Sequence, residues 1–422
     1  MFNHNPNHNP HNVFAVMPLD KLAPEILLSV VSFLPSKDAR VLSRTCRKLH
    51  AICEIQLYAS VNFELKDSSD SSTDKRLVRF FGSLMARKER CTYVRNLSLD
   101  FGRTFTSRDH ALVSAIVEAL PCLHTFIFSY SNVDFSDDDI FKLPQLTRSR
   151  RAIVKSSLRT LKATILSGRQ KRSPSHNTIA MRRPFEERSS LLNLTWLNRN
   201  LSEGPFFLSF VRLHSNIRFL HLEHATNFPK MDASILPNLE SVRASIRVVL
   251  ALLPGRRIQR VNTWIYTGVG DMWDEYLNDT SGNVFREDGL DAIKVFTCQD
   301  VGDGAPGGFL PFLIEKMKNL EVLDTMGGLP VEIPTLRKTK VQLLRLHRSA
   351  DRSQALNLFQ AVKTLQCIEW LAINIVDDGG PGLLILYTAS RLYRNGKWIP
   401  HVQWKCEPGD EWFSDWKDVF WE

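Results

Sequence analysis

GFLPFLIEKMKNLEVLDT, residues 308–325, is a helical stretch that runs directly into a short strand-like one, and its order decides how the rest of the chain is read. The same order occurs in SRDHALVSAIVEAL (107–120), where Leu112, Ala115, Ile116, Ala119 and Leu120 follow helical spacing; Pro121 then ends the helix and Leu123, Phe126 and Phe128 mark a strand. It occurs a third time in SQALNLFQAVKTLQCIEWLAINI (353–375). Strand-like patterns begin at Val94, Leu123, Leu158, Leu191, Ile217, Leu239, Ile258, Ile293, Leu320, Val341 and Ile368.

The mean step between these positions is about 27 residues, inside the range of leucine-rich repeats. Turns such as LPCL, LPNL and MKNL precede the strands. The expected fold class is therefore α/β. An irregular, leucine-rich-repeat-like α/β solenoid spans 77–397, with strands on the concave side, helices outside, and each unit burying its apolar face on the next. A closed α/β domain built of the same units is the alternative.

Upstream, residues 18–63 read PLDKLAPEILLSVVSFLPSKDARVLSRTCRKLHAICEIQLYASVNF. Pro24 suits a first helical position, where its missing amide would have no intrahelical partner. A helix is expected from Pro24 to Leu34, ended by Pro35, then a second capped by Ser36 and running to about Thr45, and a third from Arg47 towards Tyr58. Ile26, Val30, Phe33 and Leu34 mark one face of the first helix, while Leu27, Leu28 and Val31 cover most of the remainder. So small a module cannot enclose a helix that is apolar nearly all round, and another protein or the rest of the chain must cover its open side.

The order and spacing of Leu22, Pro24-Glu25-Ile26-Leu27, Val30, Phe33-Leu34, Asp38, Leu42-Ser43, Cys46-Arg47, Leu49 and Leu57-Tyr58 resemble the F-box. Ala23 stands where that family usually has Pro, and Leu49 where Trp is common. The resemblance implies that Leu22, Pro24, Ile26, Leu27, Val30 and Leu34 contact a Skp-type adaptor, which links to cullin and RING subunits of an SCF-type ubiquitin ligase. The body resembles that of many fungal F-box proteins with degenerate repeats.

Net charge is +9, but thirteen Lys/Arg against two acids between Lys142 and Ser190 account for the whole excess, and the remainder is slightly acidic. The centre of that stretch, an insertion at 167–190, is Ser/Pro-rich and poor in aromatics, unlike a nucleic-acid platform; Lys171-Arg172 and Arg182-Arg183 loosely resemble a two-part nuclear import signal. Residues 1–17, rich in Asn, His and Pro, read as a disordered arm, and 64–76 as a linker. Seven cysteines without a Cys-x-x-Cys pair suggest reduced thiols, and the lack of a signal peptide or a membrane-length apolar run places the chain in the cytoplasm, the nucleus or both.

Gly302–Gly307 matches G-x-G-x-x-G, but Asp303 adds charge of the wrong sign and Pro306 removes an amide donor, so a dinucleotide site is the weaker reading. His4, His8 and His11 lie in the arm, and Asp137–Asp139 and Asp377–Gly380 lack the oxygen spacing of a calcium loop. No metal, cofactor or catalytic residue is expected. Five of nine tryptophans fall in 398–422, which reads as a cap on the last unit, with a docking site for a partner as the alternative because tryptophan is a favoured interface anchor. The function expected is a non-catalytic substrate-recognition subunit, working in ubiquitin-dependent degradation by positioning a target whose binding residues the sequence does not assign. A scaffold that binds the adaptor alone, and an enzyme using the Gly302–Gly307 turn, are the rivals.

Overall fold

A computed structural model of the chain describes residues 19–65, 72–101, 107–131, 158–166, 191–197, 211–212, 214–222, 228, 231–265, 289–300, 308–326, 333–347, 352–374, 383–394 and 397–408. The arm at 1–17, the basic insertion at 167–190, the Gly302–Gly307 turn, Asp137–Asp139 and Asp377–Gly380 lie outside the described residues.

Helices α1 (Pro24–Ser32), α2 (Ser36–Leu42) and α3 (Arg47–Ala59) form the N-terminal module. Pro24 occupies the first turn of α1, and the turn before Pro35 ends that helix earlier than Leu34. Ser36 is not a cap. It is the first residue of α2, and Pro35 holds the capping position with no side-chain bond. The Cys46 sulfur accepts from the Leu49 amide at 3.5 Å and caps α3.

Beyond it, the described residues form a sheet of fourteen strands in chain order. They are β1 (Ser60–Leu65), β2 (Asn96–Phe101), β3 (Thr125–Ser131), β4 (Thr160–Leu166), β5 (Asn193–Leu197), β6 (Phe219–Leu222) and β7 (Ser241–Ser245), followed by β8 (Arg260–Ile265), β9 (Val295–Asp300), β10 (Val322–Met326), β11 (Leu343–Leu346), β12 (Cys367–Asn374), β13 (Leu383–Arg394) and β14 (Lys397–Pro408). The first twelve pair in parallel, each with its sequence neighbour, and β13 and β14 add antiparallel. Helices α4 (Ser72–Ala86), α5 (Glu89–Tyr93) and α6 (Ser107–Ala119), and later helices at Phe309–Lys316 and Arg352–Ala361, fall between strands. The body is thus mixed α/β and rich in sheet.

Register follows burial. The second residues of neighbouring strands, Leu97, Phe126, Leu161, Leu194, Leu220, Val242, Val261, Phe296, Leu323, Leu344 and Ile368, stand side by side and are all buried. They join one core with helix residues such as Ile116, Val117, Leu313, Leu358 and Phe359. A slip of one residue would turn this whole row out of the core, so the apolar pattern holds the register. Two residues before each of β2–β12 a second buried row runs through Val94, Leu123, Leu158, Leu191, Ile217, Leu239, Ile258, Ile293, Leu320, Val341 and Leu365. Ten of these are the expected pattern starts. At the eleventh unit the row passes through Leu365, because Ile368 is the second residue of β12.

The expected linker at 64–76 instead contains the end of β1 and the start of α4, so the sheet begins directly after α3. Residues 60–63, expected inside the helical module, and Glu64-Leu65, expected in the linker, form one strand that pairs with β2 from Ser60↔Asn96 to Leu65↔Phe101.

Arg256, buried at the turn after helix Ile246–Leu252, holds together a stretch with little regular structure. Gly255, with φ of 71°, makes the left-handed turn that delivers it. Its guanidinium donates to the carbonyls of Leu252 (2.6 Å), Asp232 (2.6 Å) and Ile235 (2.7 Å). Arg256→Met should leave these acceptors without donors and cost about 3 kcal/mol, read as a lower urea midpoint at unchanged m-value. An unchanged midpoint would refute the role.

Candidate functional site

The module's own core is closed by Leu27, Val31, Ala39, Leu49, Ile52 and Cys53. With that core closed, a row of large apolar side chains is left outside: Ile26 (52% exposed), Val30 (41%) and Phe33 (84%) on and just after α1, and Val41 on α2. Leu28 and Leu19 are exposed as well. Of the six residues expected to meet an adaptor, Pro24, Ile26 and Val30 lie at the surface, and Leu22 and Leu34 are partly buried against the core. Leu27, 1% exposed, is a core residue and offers no contact surface. An all-round apolar helix hides which side is inward. Only packing on α2 and α3 selects Leu27 and Val31.

Residues 20–64 match the F-box-like family. No curated protein matches the chain at a significant level. The F-box-like segment runs from the turn at Leu19–Lys21 through α1–α3 into β1, and it suggests an adaptor-binding role in SCF-type complexes.

Junction contacts tie the F-box-like segment to the sheet. Arg90 of α5 donates to Glu54 of α3 through Nε (2.8 Å) and Nη2 (2.5 Å), and to the Ser83 carbonyl at 3.1 Å. Its guanidinium lies 5.2 Å from the Tyr58 ring centroid. Tyr58 in turn hydrogen-bonds Ser83 Oγ at 2.8 Å and stacks on Phe80. Because the Arg90–Glu54 pair is largely shielded from water, it is screened less than surface pairs.

A polar row, much of it buried, crosses the sheet beside the apolar one. Third residues of successive strands stand in register as Lys162, Thr195, His221, Arg243, Asn262, Thr297, Asp324, Arg345 and Glu369. Arg345 Nε donates to Glu369 at 2.5 Å, and His347 Nε2 lies 3.2 Å from Asp324 Oδ1. Asn262 Oδ1 and Thr297 Oγ1 are buried with no hydrogen-bond partner among the described residues. The sequence reading missed this row, although aligning the strand patterns on their apolar positions displays it.

Two histidines are buried here and in the turn before β6. Burial pushes His214 down to about 4; burial, then the charges of Arg243 and Lys162, push His221 down to about 3. Both fold neutral, whereas the unfolded chain takes up protons below about 6.5. Stability is therefore full above that pH and falls as pH drops towards 4, by up to about 1.4 kcal/mol per unit for each histidine. Calorimetry should give a lower Tm at pH 5 than at pH 7, and equal values would refute the buried neutral state.

Among the described residues no helix is long and apolar enough to cross a membrane.

Proposed function

We propose that this chain is the non-catalytic substrate-recognition subunit of an SCF-type ubiquitin ligase, acting in the cytoplasm or nucleus. The observation that carries the reading is the exposed apolar row Ile26–Val30–Phe33–Val41 on an F-box-like segment whose own core is already filled. Such a row is a protein-binding surface, and a Skp-type adaptor is its fitting partner, with cullin and RING subunits joining through it. In this reading the body is a degenerate leucine-rich-repeat solenoid of the fungal F-box type, and that body receives the target. Chemistry belongs to the other subunits; this chain contributes effective concentration and orientation. The continuous α3–β1 junction and the Arg90–Glu54 contact support the orienting role, since they couple the adaptor side to the target side without a flexible hinge.

Mixing the purified chain with a Skp-type adaptor, a cullin and a RING protein tests the reading. Co-elution of all four supports the ligase. Adaptor binding with exclusion of the cullin favours a scaffold, and failure to bind the adaptor refutes both.

A further inference from the structure

The residues just before β2–β12 form a ladder of their own. The Arg95 carbonyl accepts from the amides of His124 (2.7 Å) and Thr125 (3.0 Å), and the His124 carbonyl accepts from Arg159 (2.8 Å) and Thr160 (2.9 Å). The same doubled bond recurs along the sheet through Leu192, Arg218, Glu240, Gln259, Lys294, Glu321 and Gln342. Neighbouring positions on this ladder are separated by one strand spacing, about 4.8 Å.

Charges at these positions are arranged in two ways. Further along, opposite charges sit next to each other and pair: Arg218 with Glu240 at 2.5 Å, Lys294 with Glu321 at 3.4 Å. At the first rungs three basic residues follow one another, Arg95, His124 and Arg159, with the two arginines exposed. Among the described residues, no hydrogen bond or ion pair engages these three side chains. They are close enough to act on one another, since burial and then the charges of Arg95 and Arg159 lower the pKa of His124. The two arginine charges, held in rigid register on either side of an imidazole whose charged form is disfavoured, are relieved by an anion, and guanidinium groups favour phosphate and carboxylate oxygens.

We propose that the Arg95–His124–Arg159 strip receives an anionic segment of the target protein, a peptide bearing a phosphate or clustered carboxylates. The inference rests on the body being the target receiver and names the chemistry it selects. Arg95 and Arg159 clamp the anionic group from two rungs apart, and His124 between them adds a hydrogen bond.

The test uses the full chain against degenerate bead-bound peptide pools with a fixed central phosphoserine, glutamate or lysine, and a single-stranded RNA oligonucleotide. The two anionic pools should be retained over the lysine pool, with retention falling as salt rises. The Arg95→Glu/Arg159→Glu variant should lose at least about tenfold in affinity, from two charge-assisted contacts, while its melting temperature and adaptor binding stay unchanged. Preference for phosphoserine over glutamate identifies a phosphorylated source, and equal retention a carboxylate-rich one; either supports the strip. Equal retention of all pools, undiminished retention by the variant, or preference for RNA overturns the strip and leaves the body as a target receiver. Retention of no pool overturns both.

Discussion

Replacing Val30 and Phe33 together by aspartate is expected to abolish capture of a Skp-type adaptor while the three-helix module stays folded. Both side chains point away from the core that Leu27, Val31 and Ile52 close, so the changes remove nothing from it. An apolar side chain buried at an interface contributes about 1.5–3 kcal/mol, and a carboxylate placed there adds a desolvation cost. Losing two should weaken binding by more than about a hundredfold, at about 1.4 kcal/mol per factor of ten. Leu27→Asp supplies the contrast. It also ends capture, but by putting a charge inside a core of six buried residues, and circular dichroism should show loss of helix. Calorimetric titration separates the two mechanisms. Tight binding by the folded Val30→Asp/Phe33→Asp protein would mean that the exposed row is not the docking face.

Truncation after Asn374 should make the body aggregate while the F-box-like segment keeps its adaptor. The hairpin β13–β14 covers β12 along all eight of its residues, from Cys367↔Ser390 to Asn374↔Leu383. Ala389 is fully buried in the core, and Arg391 donates to the carbonyls of Phe359, Val362 (3.0 Å) and Lys363 (3.2 Å) at the end of helix Arg352–Ala361. A cation at a helix C-terminus satisfies its last carbonyls and complements its dipole. Without the hairpin, CIEWLAIN becomes an open, largely apolar edge strand, a template for pairing with other chains. Light scattering and size-exclusion chromatography read the result. A monomeric truncated chain with an unchanged melting temperature would show that the hairpin protects nothing.

The tryptophans of this end divide between the hairpin and the residues beyond it. Trp398 and Trp404 belong to β14, paired opposite Tyr393 and Ala389, so their segment extends the sheet. Trp412, Trp416 and Trp421 lie outside the described residues. Tryptophan content marks the end of the chain, and the near-alternation of apolar and polar residues over KWIPHVQWKCEP is the sequence signal for its strand.

What the sequence determined alone was the strand register and the presence of the N-terminal module. Apolar residues recur before and within each strand, and because burying them is the dominant favourable contribution, one alignment of the units satisfies all of them. The spacing around Pro24, Phe33, Cys46 and Leu49 likewise needed no coordinates, and the F-box-like match falls on that segment. Tertiary structure decided which side of α1 faces inward, because a helix apolar on every side carries no periodic signal and only α2 and α3 choose Leu27 over Val30 and Phe33. It also decided that Arg95, His124 and Arg159 are neighbours. Whole strand-and-connection units separate them along the chain, and only the doubled hydrogen bonds of the sheet ladder bring their side chains to one strip.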